Sequence, residues 1–235
     1  MVGNGRDCMD IETLIASMDQ NRIDQSVLFM QDSYAAINNT EGNDFIARAV
    51  EAYPQMFIGF ASASPWYGEK AVRELDSRLR SGLFRGVYFK STVQGFSIED
   101  EIVYPLIEVC QKYAVPAYFH TGTPSMALPF QLMLLAQRYP EVRFIMGHTG
   151  CFDFVGDAYA SARWQPNIYL ETSFALTLFM RAMSLEFPKR TLFGSGAPRS
   201  TQAFELQKLT QGVEDAEVLN DILGGNMQRL LEGAK

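Results

Sequence analysis

Two neighbouring stretches, VPAYFHTGTP (115–124) and EVRFIMGHTG (141–150), decide the fold. In each, an unalternated apolar run ends in a histidine followed by threonine and glycine, and a helical segment separates the two runs. Such runs are typical of strands buried on both faces of a parallel sheet. His120 and His148 are the only histidines of the chain. Because both are predicted at the ends of consecutive strands, the pattern favours one shared site.

The remaining chain repeats the same strand-then-helix unit. Strands are predicted to begin near residues 23, 56, 84, 115, 142, 167 and 190, and a helix over 10–21, capped by Asp10, precedes the first. Strict βα alternation predicts an all-parallel sheet. The fold class is therefore α/β, a (β/α)8-type TIM barrel whose first strand is lacking or irregular. An open doubly wound sheet is the alternative, but no glycine-rich phosphate loop supports it. Since no linker divides residues 1–235, we expect a single domain.

Composition narrows the class of protein. A hydrophobic content of 47% with 20% charged residues is typical of a globular chain with a large core. The net charge of −7 argues against nucleic acid or an anionic membrane as partner. No apolar run is long enough for a membrane span, and residues 1–10 lack a signal-peptide core. Cys8, Cys110 and Cys151 are spaced too widely for a disulfide framework, which favours reduced thiols and a cytoplasmic protein.

Several motifs resemble those of the amidohydrolase-related family. In chain order they are FRGVYFKSTVQGFSIED, VPAYFHTG, VRFIMGHTG, NIYLETS, RTLFGSGAP and ILGGNMQRLL. The resemblance extends from about residue 10 to the C-terminus. It points to the branch of metal-dependent hydrolase barrels that contains aminocarboxymuconate semialdehyde decarboxylase-like enzymes. It implies a hydrolase or decarboxylase acting on a small carboxylated or cyclic substrate.

The resemblance also implies a metal site, of which this chain keeps only part. Such enzymes hold a divalent metal, commonly zinc, with an HxH motif on the first strand, a histidine on the fifth and an aspartate on the eighth. His120 matches the fifth-strand ligand, and His148 matches the sixth-strand histidine that acts as acid or base. The chain has no HxH motif, and Gly196 stands where the aspartate is expected. Because catalytic zinc usually takes three protein ligands, we expect either no metal or a weakly bound divalent metal.

Further site residues are expected at the ends of the strands. Substrate contacts are expected from Lys90, Tyr88, Thr121 and Glu171, with Lys90 orienting an anionic group. Glu171, Asp153 and Cys151 are the candidate replacement ligands. Two other roles are possible for Lys90. It could be a surface residue whose aliphatic part lies along the protein, or a nucleophile that forms a Schiff base. The structural alternative for both histidines is that they are hydrogen-bonded to turn backbone and inherited from an active ancestor.

Two functions stay open at this point. One is a small-molecule hydrolase or carboxy-lyase of the amidohydrolase-related family with a degenerate metal site. The other is a catalytically inactive barrel that acts as a ligand-binding or protein-interaction module, since fold does not imply function. As far as metal-dependent catalysis is concerned, the incomplete ligand set favours the catalytically inactive module.

The start of the chain bears on assembly. Residues 1–9 contain too few apolar side chains for a barrel strand, so the strands at 23–30 and 190–196 are predicted to leave unpaired edges. Exposed edges need a cover, and symmetric dimers are common. We therefore expect a homodimer. An upstream segment carrying the missing strand is the alternative if Met1 is not the biological start.

Overall fold

Seven parallel strands alternate with helices in the computed structural model, which describes residues 9–232. The strands are β1 (Ser26–Leu28), β2 (Phe57–Ala61), β3 (Phe84–Phe89), β4 (Ala117–His120), β5 (Phe144–Gly147), β6 (Ile168–Glu171) and β7 (Thr191–Leu192). The helices are α1 (Ile11–Asn21), α2 (Asp32–Ala36), α3 (Asn39–Ala52), α4 (Glu69–Arg80), α5 (Ser91–Gln94), α6 (Tyr104–Tyr113), α7 (Pro129–Arg138), α8 (Val155–Trp164), α9 (Thr177–Glu186), α10 (Gln202–Gly212), α11 (Ala216–Asn220) and α12 (Asn226–Glu232). Short 3-10 turns and a π-helical turn, Asp221–Gly225, complete the set.

The strands form one open sheet in the order of the chain, β1 to β7, and every neighbouring pair is parallel. The predicted α/β barrel-type fold with strictly parallel strands is thereby confirmed. Within residues 9–232, β1 and β7 are both edge strands and do not pair with each other. The outer layer bridges this seam, because α1 packs against α10 and the Ser17 hydroxyl donates to Gln202 at 2.6 Å. Residues 1–8, most of the segment predicted to lack a strand, lie outside the described residues.

Most helix predictions are confirmed, two are corrected, and one helix was not predicted. Asp10 caps α1 by accepting the N–H of Thr13, as predicted. The helix predicted to begin at Asp44 begins at Asn39, and the unpredicted α2 precedes it. The Asn39 side chain donates to the carbonyls of Tyr34 and Ala35, which ties the two helices together. Near the C-terminus, two helices separated by Gly224 and Gly225 were predicted, but the π-helical turn runs through these glycines into α12.

An aromatic layer lies on the strand face that also carries the site. Side chains alternate between the two faces of a strand, so Tyr88 and Lys90 share a face, as do Tyr118 and His120. The Phe29 ring stacks on Tyr88 with centroids 4.5 Å apart and lies 4.6 Å from Tyr118. Lys90 and His120 therefore follow this layer towards the carboxyl ends of the strands.

The opposite face of the sheet packs against the helices. Phe89 stacks on Phe119 at 4.7 Å, and Phe119 contacts Phe144 at 6.3 Å. All three rings are fully buried, and burying a side chain of this size stabilises the fold by about 1.5–3 kcal/mol. None of the helices within residues 9–232 combines the length and apolarity that a membrane crossing needs.

Candidate active site

The two histidine rings meet at the carboxyl ends of β4 and β5. Their centroids lie 4.7 Å apart, and the rings are nearly perpendicular at 71°. This closeness was predicted from their matched positions in consecutive βα units. The carboxyl ends of the strands are also where barrel enzymes carry their active sites.

Thr121 ties the two histidine turns together. Its hydroxyl donates to the carbonyl of Gly147 at 2.7 Å and accepts the N–H of Gly150 at 3.0 Å. The side chain is fully buried. In this structure the Thr121 hydroxyl thus joins the two turns, and its expected contact with substrate stays a prediction.

The backbone after β5 has a positive φ at four successive residues. The φ values are 64° at His148, 46° at Thr149, 74° at Gly150 and 54° at Cys151. Each non-glycine residue held there costs roughly 1–3 kcal/mol and persists only where the surroundings enforce it. Here the N–H of His148 reaches Glu171 Oε2 at 3.0 Å. The strained turn thus fixes the position of the His148 ring.

Glu171 is a buried acceptor for four protein donors. Its oxygens accept the Tyr118 hydroxyl at 3.0 Å, the His148 N–H at 3.0 Å, and the N–H and hydroxyl of Ser173 at 2.6 and 2.7 Å. Burial raises the pKa of Glu171, and these hydrogen bonds oppose that shift. Both oxygens are thus already bonded within the protein, and one of these bonds anchors the backbone of His148. The expected roles of Glu171 as a substrate contact or replacement ligand stay predictions.

Lys90 is the buried member of an ionic cluster whose other two side chains are partly exposed. Its Nζ lies 2.6 Å from Asp32 Oδ2, and Arg199 Nη2 lies 2.9 Å from the same oxygen. The Lys90 side chain is only 8% exposed, so the alternative of a surface lysine is wrong. The three residues follow β3, β1 and β7 respectively, and the carboxyl ends of these strands meet at one end of the sheet.

Both histidines are neutral at neutral pH. Burial lowers the pKa of His148 to about 3, and the charges of Lys90 and Arg199 act in the same direction. The pKa of His120 is likewise lowered to about 3, mainly by burial. The electrostatic effects of His148 and Lys90 lower it further. Neutral imidazole has one nitrogen that accepts a hydrogen bond or a proton. The site therefore places two neutral imidazoles at the same end of the sheet as the buried ammonium group of Lys90.

The walls of the site are aromatic. Phe174 lies 4.9 Å from the His148 ring and has a left-handed backbone, φ 62°. Tyr88 is buried, and burial followed by the charge of Asp32 raises the pKa of its hydroxyl. Of the other candidate ligands, Asp153 is exposed, whereas the Cys151 thiol is half-buried and donates to the carbonyl of Thr121.

Sequence reasoning missed Asp32, Arg199 and Ser173. Two of them carried a usable signal. Asp32 comes just after an apolar strand, where polar residues of barrel folds are often functional. Ser173 follows Glu171 by two residues, which places both on the same side of an extended chain. The partnership of Arg199 with Asp32 spans 167 residues and has no local signal.

Comparison with known proteins bears directly on this geometry. A family model described as "Amidohydrolase" matches residues 11–233. The chain belongs to the amidohydrolase family. A 2-amino-3-carboxymuconate-6-semialdehyde decarboxylase of Dictyostelium discoideum is 30% identical to this amidohydrolase over 78 residues. That match covers 33% of the chain but only 22% of the length of the decarboxylase.

Solved structures show the same fold. An uncharacterised TIM-barrel protein of Bordetella bronchiseptica superposes with a TM-score of 0.78 at 22% identity, covering 95% of this amidohydrolase and 83% of that chain. A 2,6-dihydroxybenzoate decarboxylase from Rhizobium superposes with a TM-score of 0.77 at 18% sequence identity. The match covers 96% of this amidohydrolase and 90% of that chain. A dihydroxybenzoic acid decarboxylase from Polaromonas superposes with a TM-score of 0.74 at 19% sequence identity, covering 97% of this amidohydrolase and 87% of that chain. That structure contains manganese and the inhibitor 2-nitroresorcinol.

The described residues of this amidohydrolase do not fit a tightly bound divalent metal. Within residues 9–232, no three His, Cys, Asp or Glu side chains come together as a ligand set. Nε2 of His120 already lies 2.9 Å from the Thr123 hydroxyl. At Gly196, φ is 60°, and an added Cβ would lie 2.7 Å from the Phe174 ring. The carboxylate expected at this position therefore has neither the backbone conformation nor the space that it needs.

Proposed function

We propose that this amidohydrolase is a carboxy-lyase for a small carboxylated aromatic or cyclic substrate. His148 transfers the proton, and Lys90 binds the anionic group of the substrate. The observation that carries the proposal is the adjacency of a neutral, well-anchored imidazole and a buried ammonium group. The strand register pairs Phe89 with Phe119, so Lys90 and His120 are the next residues on neighbouring strands. The His120 and His148 rings lie 4.7 Å apart, so the acid–base group and the anion-binding group share one site.

Lys90 has donors to spare for an anion. An ammonium group has three N–H donors, and among the described residues only Asp32 accepts from it. A substrate carboxylate or phenolate can take the remaining donors. The Phe29 ring, which is only partly buried, and the Phe174 ring offer apolar surface for the body of such a substrate.

The proton balance of the reaction assigns His148 its role. Loss of carbon dioxide from a carboxylate leaves an electron pair on carbon, and that carbon must gain one proton. Neutral His148 first accepts a proton, either from a substrate hydroxyl or from solvent, and then delivers it to this carbon. Lys90 stabilises the negative charge that develops on the substrate meanwhile. No step passes through a metal, because the described residues do not provide its ligands.

The test is direct measurement of turnover on a panel of hydroxybenzoates and carboxymuconate-like acids. Carbon dioxide release is followed for the wild type, His148→Asn and Lys90→Met. Lys70→Met, at an exposed position on α4, is the matched control. We expect turnover in the wild type and the control, and a large loss in both site variants. Turnover that survives in His148→Asn would refute the role assigned to His148.

The incomplete ligand set favours one alternative, a catalytically inactive ligand-binding module. Isothermal calorimetry with the same acids distinguishes the two functions. Binding that Lys90→Met abolishes, without carbon dioxide release from any acid of the panel, would support the binding module and exclude the carboxy-lyase.

We further propose that the protein acts as a homodimer, as the sequence indicates. Within residues 9–232, β1 and β7 are edge strands that do not pair with each other, which supports a dimer because edge strands need protection from non-specific pairing. Light scattering at micromolar concentration should give twice the monomer mass of 26.4 kDa. A monomer at that concentration would contradict the proposal.

A further inference from the structure

We propose that Ser173 and Glu171 are positioning residues that hold His148 in the tautomer with its proton on Nδ1. Nε2 then carries the lone pair with which this ring accepts a proton. The tautomer follows from hydrogen-bond geometry alone, whereas its consequence for turnover rests on the proposed function.

The Ser173 hydroxyl bridges the histidine and the glutamate. Its oxygen lies 2.6 Å from His148 Nδ1 and 2.7 Å from Glu171 Oε2. The direct separation of Nδ1 and Oε2 is 3.6 Å, which is too long for a hydrogen bond. A hydroxyl has one proton and can donate to only one of these neighbours. The direction of this single bond therefore sets the tautomer of the ring.

The other partners of Glu171 decide the direction. The backbone N–H groups of His148 and Ser173 point at its two oxygens, at 3.0 and 2.6 Å. Backbone N–H groups can only donate, and the Tyr118 hydroxyl also donates to Oε2. A carboxyl group that receives several donors is stabilised in its ionised, acceptor-only form. Ser173 must then donate to Glu171, so its lone pair accepts the proton on Nδ1 of His148.

Burial leaves this chain of hydrogen bonds without competition from solvent. Ser173 is 1% exposed and Glu171 is 6% exposed. The left-handed turn holds the His148 backbone on the same carboxylate that its ring reaches through Ser173. In contrast, no hydrogen bond from a described residue reaches His148 Nε2. A rotated ring would exchange Nδ1 for a carbon atom at Ser173 and lose the bond.

The two-histidine composition makes the tautomer directly measurable. In the full chain labelled with 15N-histidine, two-bond proton–nitrogen correlations show only four ring nitrogens. His120→Gln leaves the two nitrogens of His148 and so assigns them. At neutral pH we expect Nδ1 of His148 to have the shift of a protonated nitrogen and Nε2 that of an unprotonated one. The opposite pattern would mean that Ser173 donates to Nδ1 and would overturn the proposal.

Removing the bridge sharpens the test. Ser173→Ala deletes the hydroxyl but keeps the backbone N–H that Glu171 accepts, and we expect the His148 shifts to move towards a mixture of tautomers. The matched control is Thr123→Ala, which removes the hydroxyl at His120 and should change only the His120 signals. An unchanged His148 tautomer in folded Ser173→Ala would refute the role of Ser173. If this variant does not fold, the wild-type spectrum decides alone.

The outcome is separable from that of the proposed function. A protein with the expected tautomer that turns over no carboxylate would refute the carboxy-lyase and leave the positioning role standing. A carboxy-lyase with the proton on Nε2 would do the reverse.

Discussion

The turns His120-Thr121-Gly122 and His148-Thr149-Gly150 have the same sequence and different structures. Their threonines play matching roles, because each hydroxyl donates to the carbonyl of the last residue of the following strand. Thr121 bonds to Gly147 at 2.7 Å and Thr149 bonds to Glu171 at 2.8 Å. The repeated threonine thus has a structural cause, which is to lock neighbouring strand ends together.

The histidines of the same turns differ in backbone and in partners. The backbone of His148 is left-handed, and its Nδ1 is hydrogen-bonded to the Ser173 hydroxyl. No hydrogen bond from a described residue reaches its Nε2. His120 is the last residue of β4, and its Nε2 lies 2.9 Å from the Thr123 hydroxyl. Identical motifs therefore leave different ring nitrogens without a hydrogen bond from a described residue, Nδ1 in His120 and Nε2 in His148. Among the described residues, His148 combines an anchor at Nδ1 with an Nε2 that has no hydrogen-bond partner, which makes it the better proton-transfer group.

The largest expected effect separates the two histidines by activity. General acid–base catalysis contributes on the order of 10²–10⁴-fold, so His148→Asn should lower the turnover number of the carboxy-lyase by about this factor. His120→Asn should lower it less, because Nε2 of His120 is already bonded to Thr123. Steady-state kinetics on the best acid of the panel measures both. Equal losses would show that the two turns share the proton transfer.

The next effect concerns the anchor that only the second turn has. Glu171→Ala removes the acceptor of two buried backbone N–H groups and of the Tyr118 hydroxyl. An orphaned buried donor costs about 1–3 kcal/mol, so we expect the free energy of unfolding to fall by about 3 kcal/mol or more. Urea denaturation measures it. The control Glu141→Ala, at an exposed residue, should change stability by less than about 0.5 kcal/mol. A small loss at Glu171 would mean that other acceptors replace it.

The pH dependence of stability tests the burial of both rings. The folded-state pKa of each histidine is about 3, against an ordinary value of 6.5. The unfolded chain therefore binds protons that the folded chain does not, and stability is lost as the pH falls from about 6.5 towards 3. The protonation of His148 alone lowers the free energy of unfolding by at most about 1.4 kcal/mol for each pH unit of acidification. The raised pKa of Glu171 acts in the opposite direction and offsets part of it.

Urea midpoints measured between pH 7 and pH 4.5 give this slope. His148→Asn should flatten it, and more strongly than His120→Asn, because the His148 side chain is the more deeply buried of the two. A slope that neither variant changes would show that carboxylates, rather than these imidazoles, govern the acid sensitivity.

The parallel strands and the meeting of the two histidines were predictable because both follow from short-range patterns. An apolar run marks a buried strand, and equivalent ends of consecutive strands are neighbours in any parallel sheet. The positive φ at His148 and the roles of Ser173 and Glu171 were not predictable in the same way. They depend on how the chain leaves β5, and no residue pattern in HTG distinguishes this turn from the one after β4.

The ionic cluster shows a second limit. Lys90 was predicted at a strand end, but its burial depends on Asp32, which is 58 residues away. A lone lysine at a strand end does not reveal whether such a partner exists. The loss at Gly196 was visible as a missing carboxylate, whereas the Phe174 ring that fills the space was not. Pairings at long sequence separation thus account for most of what sequence reasoning missed.

The smallest expected effect tests the shared threonines. Thr121→Val and Thr149→Val each remove one hydroxyl and keep the branched shape of the side chain. Thr121 both donates to Gly147 and accepts the N–H of Gly150. Its loss therefore leaves a buried donor without a partner, at a cost of about 1–3 kcal/mol.

The Thr149 hydroxyl donates to the Glu171 carbonyl and contacts the sulfur of Met183. A carbonyl tolerates the loss of one donor better than an N–H tolerates the loss of its acceptor. We therefore expect Thr149→Val to cost about 1 kcal/mol and Thr121→Val to cost more, by urea denaturation. The reverse order would mean that the left-handed turn after β5 depends more on the hydroxyl of Thr149 than on that of Thr121.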